Sequence, residues 1–127
     1  MVKILVVDDE TDVVMLFRQQ FRKEIRAGEF DFHFAHSGEQ ALQFMRTLNP
    51  FDIVLVLSDI NMPGMTGLEL LRHTRQLFPT LKVVMVTAYG DQKNYDEALR
   101  FGASDFVTKP VDFIMLKEKM QQLKTVS

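Results

Sequence analysis

The sequence predicts a doubly wound α/β domain, a five-stranded parallel sheet with five helices in a three-layer sandwich, and three observations predict it. Short β-branched, apolar runs alternate five times with segments of helical period. Turn and capping residues fall where each change of period needs them. Strands that read as apolar on both faces belong to parallel sheets, whose right-handed crossovers lay helices on both sides.

Lys3 to Val7 is the first run, and a helix from about Asp12 to Glu24 follows, with Val13, Leu16, Phe17 and Phe21 along one face. "EIRAG" reads as a polar helix end and loop. In "FDFHFA", Phe30, Phe32 and Phe34 alternate with Asp31 and His33, the period of a strand with one wetter face, which places it at a sheet edge. Ser37 with Gln40 forms a capping box for a helix over 38–48, with Ala41, Leu42, Met45 and Leu48 on one side; Asn49-Pro50 ends it. Ile53 to Ser58 is the third run. Thr66 with Glu69 is a second capping box, and Leu70, Leu71, Leu77 and Phe78 belong to the helix that Pro79 closes. "KVVMVT" is the fourth run, Asp91 caps a helix through Phe101, and Gly102 suits the left-handed position beyond its end. "DFVT" is the fifth run and Lys109-Pro110 breaks it. The last helix starts near Asp112, with Phe113, Leu116, Met120 and Leu123 sharing a face.

Length and composition narrow the function. With 127 residues and 46% apolar content, the chain is expected to form one domain over 1–127. Seventeen acids against fifteen bases give a net charge of −2, which leaves no electrostatic footprint for nucleic acid or an anionic membrane surface. Cysteine is absent, so disulfides and thiolate metal sites are excluded. No apolar run reaches the ~18 residues of a membrane span, and the opening "MVKILVVDDE" is too short for a signal-peptide core, so a soluble, cytoplasmic protein is expected.

Ligands of open α/β sheets bind outside the carboxyl ends of the strands. The residues at those ends are Asp8, Asp9 and Glu10 after the first run, Asp59 after the third, Thr87 closing the fourth and Lys109 after the fifth. Singly, these are a helix cap, a β-branched strand residue and a solvated lysine. Together they are not neutral. Two carboxylates about 4 Å apart at an effective dielectric near 20 repel by roughly 4 kcal/mol, equivalent to about three pKa units, so clustering Asp8, Asp9 and Asp59 is costly without a cation or a proton. Oxygen donors with no Cys and no nearby His favour Mg²⁺ over Zn²⁺. Carboxylates, an ammonium, a hydroxyl and Mg²⁺ describe a place where a phosphoryl group is held and transferred. No glycine-rich nucleotide loop occurs, so the nucleophile is a side chain.

The stretches "ILVVDDE", "SDINMPGMTG", "VVMVTAYG" and "GASDFVTKP", in this order, resemble the receiver domain of two-component response regulators over essentially the whole chain. The resemblance implies the flavodoxin-like strand order 2-1-3-4-5. It implies that Asp59 takes a phosphoryl group from a sensor histidine kinase or a phosphotransfer protein, giving an acyl phosphate. It implies direct Mg²⁺ binding by Asp9, Asp59 and the carbonyl of Asn61, with Asp8 acting through a metal-bound water. Thr87 would bind a phosphoryl oxygen, Lys109 would bridge to the acyl phosphate, and Lys109-Pro110 would be a cis peptide. Thr87 and Phe106 would form the switch that remodels the surface of the fourth helix, fifth strand and fifth helix, where a downstream effector or a second copy docks. Phenylalanine at 106 lacks the phenol of the commoner tyrosine, leaving packing to drive the switch. Asn61 and Tyr89 occupy positions that tune dephosphorylation, and the bulk of Tyr89 predicts slow hydrolysis. Activity beyond self-phosphorylation and autodephosphorylation is not implied, so the chain is not expected to be an enzyme.

Two connections, "EIRAGEFDF" and "FDIVLVLSD", are longer than usual in the family, which leaves the placement of the 38–48 helix open. His33, His36 and His73 read as surface residues, Phe101 and Ile114 as exposed apolar points, and the many Met and Phe as core filling. Two other classes use similar parts. A phosphoaspartyl hydrolase of haloacid dehalogenase type needs a D-x-D motif after the first strand, which "VVDDET" lacks. A flavin- or partner-binding module on the same fold would meet acids hostile to a flavin phosphate.

Overall fold

In the computed structural model, which describes residues 2–49, 51–88 and 90–125, one sheet runs through the molecule. Its strands are β1 (Val2–Val7), β2 (Phe30–Ala35), β3 (Val54–Asp59), β4 (Lys82–Thr87) and β5 (Asp105–Thr108). All neighbours are parallel, in the order β2-β1-β3-β4-β5. The helices are α1 (Val13–Gln20), α2 (Arg22–Arg26), α3 (Gly38–Met45), α4 (Gly67–Leu77), α5 (Gln92–Arg100) and α6 (Phe113–Thr125).

Alternation along the strands separates two cores. Leu5, Val7, Val56, Val83 and Met85 face α3, α4 and Ala98 of α5, whereas Ile4, Val6, Leu55, Leu57 and Val84 face Phe17 of α1 and Leu116 and Met120 of α6. Every residue of β3 is buried, as a central strand covered on both sides must be. The order of the strands and the three layers are those of the flavodoxin-like fold. α3 packs on β1, β2 and α4, which fixes the helix whose placement the long connections left open.

The expectation of five helices is corrected to six, because the first one divides at Phe21. The ring of Phe21 is fully buried, within 6.1 Å (centroid to centroid) of Phe17, Phe30, Phe32 and Phe113, and its backbone relaxes to φ −109°, ψ 22° to put it there. Helical hydrogen bonding continues across the break, from Phe21 N–H to Phe17 O and from Ile25 N–H to Phe21 O, each 2.9 Å. Burial of a phenylalanine stabilises by about 1.5–3 kcal/mol, more than one distorted turn costs.

The caps form. Ser37 Oγ accepts from Gln40 N–H at 3.1 Å and Gln40 Oε1 accepts from His36 N–H at 2.8 Å. Thr66 Oγ1 accepts from Glu69 N–H at 3.2 Å, and Asp112 Oδ1 from Ile114 and Met115 at 3.0 and 3.2 Å. Gly102 ends α5 with φ 91°, a conformation that side-chain-bearing residues rarely adopt. Ile53 lies outside β3 and is exposed, and Leu16 and Leu77, expected among packed residues, are also exposed.

Candidate functional site

Register brings the strand ends together. Val7 lies level with Ser58, Asp59 with Val86 and Thr87 with Thr108, so Asp8, Asp59, Thr87 and Lys109 emerge along one edge. Two backbone bonds tie the edge: Ile60 N–H to Val86 O at 3.3 Å and Lys109 N–H to Thr87 O at 2.8 Å. The Lys109–Pro110 peptide is cis.

Asp59 and Thr87 are buried, Asp8 is half-buried, and Asp9, Glu10 and Asn61 are exposed. Lys109 Nζ donates to Asp59 Oδ2 at 3.0 Å, and Asn61 N–H donates to Asp59 Oδ1 at 3.3 Å. Glu10 N–H donates to Asp8 Oδ1 at 2.9 Å. One oxygen each from Asp8, Asp9 and Asp59 lies within 4.8 Å of the others. Three carboxylates facing one ammonium leave two negative charges uncompensated, which is the charge of one divalent cation. The donors are all hard oxygens, so a Mg²⁺ ion fits the set.

Electrostatics register the strain. Desolvation, then the charges of Asp59 and Glu10, push the Asp8 carboxyl above its ordinary value, against the Glu10 N–H bond and the Lys109 charge. Desolvation works to lower Lys109, but its hydrogen bond to Asp59 and the charges of Asp59, Asp8 and Glu10 outweigh it, and the ammonium is held above its ordinary value.

Phe106, on β5, packs against Tyr95 of α5 with ring centroids 4.3 Å apart and ring planes tilted by 36°. Tyr89 lies outside the described residues. His36, read as a surface residue, places Nδ1 2.9 Å from the carbonyl oxygen of Asp8.

Sequence reading missed Gly67. A Cβ there would lie 2.0 Å from the carbonyl oxygen of Asp59 and 2.7 Å from Ile60 Cα, and Gly67 N–H donates to Ile60 O at 2.8 Å. The first turn of α4 thus rests on the backbone of Asp59 itself. Buried Ile60 and Met62 pin the loop on either side of exposed Asn61. The available signal was a glycine directly after the Thr66 cap, where a better helix former would otherwise stand.

A family model described as the response regulator receiver domain matches residues 4–121. The chain belongs to that family. This receiver domain is 38% identical over 118 residues to the response regulator protein PilR of Pseudomonas aeruginosa, an alignment covering 91% of the chain and 24% of PilR. The chain therefore spans about a quarter of that relative's length. It is 32% identical to sporulation initiation phosphotransferase F of Bacillus subtilis, covering 94% of the chain and 91% of that protein. Among solved structures, the response regulator TrrA of Thermotoga maritima, in complex with Mg²⁺–BeF, superposes with a TM-score of 0.80 at 33% identity, covering 97% of the chain and 99% of TrrA. The NtrX receiver domain of Brucella abortus gives 0.83 at 31%, covering 98% and 99%. The receiver reading holds and the hydrolase and binding-module readings are not favoured.

Proposed function

We propose that Asp59 accepts a phosphoryl group from a sensor histidine kinase or a phosphotransfer protein, and that the domain carries this mark to a downstream effector. The observation that carries the reading is the contact between Lys109 Nζ and Asp59 Oδ2 at 3.0 Å beside the Asp8 and Asp9 carboxylates. A carboxylate oxygen of Asp59 attacks phosphorus in line, a P–O bond forms, the donor's P–N bond breaks and its electron pair returns to the imidazole. Lys109 then faces charge gathering on the phosphoryl oxygens, and Thr87, from the neighbouring strand end, supplies a hydroxyl to one of them.

Asp8, Asp9, Asp59 and the Asn61 carbonyl would hold Mg²⁺, which when bound neutralises charge on the transferring group. Hydrolysis is the same displacement with water as nucleophile and the Asp59 carboxylate leaving; by the resemblance to the family, Asn61 and Tyr89 would tune its rate. Phe106 follows Thr87 inward by packing, displacing its contact with Tyr95 and altering the surface of α5, β5 and α6 (the fourth and fifth sequence-predicted helices), which serves effector docking or pairing with a second copy.

Incubation with Mg²⁺ and acetyl phosphate tests this by intact mass. One phosphoryl group per chain, absent in Asp59→Ala and without Mg²⁺, is expected. An adduct that persists in Asp59→Ala, or catalytic turnover of a phosphate ester, overturns it.

A further inference from the structure

On the far side of α1 from the acidic edge, a groove of about 420 Å³ runs between α1, α2 and the edge strand β2. Its floor is aromatic, Phe30 and Phe32, and its wall carries Arg18, Arg22 and Arg26. These arginines recur every four residues and are all exposed. Arg18 lies over the ring of Phe34 at 5.5 Å, and among the described residues no ion pair engages any of the three. Among the described residues lining the groove there is one acid, Asp31, whose Oδ2 lies 2.9 Å from His33 Nε2, against three arginines. A chain of net charge −2 has therefore concentrated an excess of positive charge beside an open sheet edge.

That edge has hydrogen-bonding capacity. Val2 N–H bonds to Glu29 O and Asp8 N–H to Ala35 O, which fixes the phase of the parallel ladder and turns the backbone groups of Phe32 and Phe34 away from β1. The spacing selects the occupant. Arginines one helical turn apart advance about 6 Å each, and alternate residues of an extended strand advance about 6.6–6.8 Å. A strand laid along β2 would present carboxylates at every second position, one to each arginine, with its other face over α3.

We propose that this groove docks an extended acidic segment of a partner protein, which adds to β2 as a sixth strand and sets its carboxylates against Arg18, Arg22 and Arg26. Main-chain pairing supplies the binding and the arginine row selects for acidic side chains at alternate positions. A long polyanion is disfavoured by the overall negative charge, whereas a short segment meets only the local field within a Debye length.

The test titrates the ¹⁵N-labelled chain with a capped nine-residue peptide alternating Glu and Val. Shifts centred on the Phe32 and Phe34 amides, and slower hydrogen exchange there, are expected. Binding should weaken about tenfold or more in R22E/R26E, whose substitutions lie on an exposed helix surface, and should fall with salt. It should be lost when Lys replaces Glu, or when the peptide is N-methylated at alternate residues. Equal binding of the Lys peptide, indifference to R22E/R26E or to N-methylation, or shifts centred elsewhere overturns the proposal. So does tighter binding of a single-stranded oligonucleotide or of anionic phosphatidylserine vesicles to the same arginines.

Discussion

At the scale of single residues, the proposed chemistry rests on Asp59 and Lys109. Lys109→Ala removes the ammonium that donates to the buried Asp59 carboxylate, and phosphorylation by acetyl phosphate at fixed Mg²⁺ is expected to slow by roughly 10²-fold, the cost of losing one preorganised charge partner. Asp8 makes an opposite demand on stability. Its carboxyl titrates higher in the fold than in the unfolded chain, so the fold holds the extra proton and stability declines as pH rises through and above the ordinary carboxylate range. Asp8→Asn is therefore expected to be more stable than wild type at neutral pH without metal, by less than about 1 kcal/mol because solvent screens a half-exposed group. Thermal unfolding across pH should show the two proteins converge below about pH 4. Lys109 follows the same sign at higher pH: its raised pKa contributes stability that is present at neutral pH and is lost as pH rises through its folded value.

Elements position these groups, and α4 does so most directly. Thr66→Ala deletes a cap and is expected to cost about 1 kcal/mol in urea unfolding while phosphorylation persists. Gly67→Ala drives a Cβ into the Asp59 carbonyl, 2.0 Å away, and backbone cannot swing aside as a side chain does. A cost of about 1–3 kcal/mol together with slower adduct formation is expected, since the displaced backbone is that of the proposed phosphoacceptor. Neighbouring positions on one helix thus separate stability from placement of the carboxylate. The division of α1 from α2 at Phe21 has a similar origin, an aromatic ring whose burial outweighs regular helix geometry.

Across the whole molecule, a cation held at the acidic edge would tie metal binding to folding. A cation that binds only the folded edge stabilises by RT ln(1 + [L]/Kd), about 1.4 kcal/mol at ten times Kd. Addition of Mg²⁺ is expected to raise the wild-type melting temperature, and to raise that of a variant with Asp9→Asn much less, measured by calorimetry at constant ionic strength. The two proposed faces occupy separate parts of the fold, the acidic edge at the carboxyl ends of the strands and the arginine groove along β2. The first was legible in sequence because strand ends are marked by changes of period and their residue types are chemically distinctive. The second was not, because Arg18, Arg22 and Arg26 read as an ordinary solvated helix face until β2 lies beside them.

The sequence by itself determined the alternation of strands and helices, their caps, the edge character of β2 and the residues at each strand end, since periodicity and capping act over a few neighbouring positions. Only the tertiary structure decided that Lys109 meets Asp59 across a separation of 50 residues, that Gly67 rests on the Asp59 backbone, and that the first helix yields at Phe21. Those outcomes depend on strand order and on which side chains share a core, and the physical reason is packing: close contacts between distant segments are fixed by volume and register, which no local stretch of chain contains.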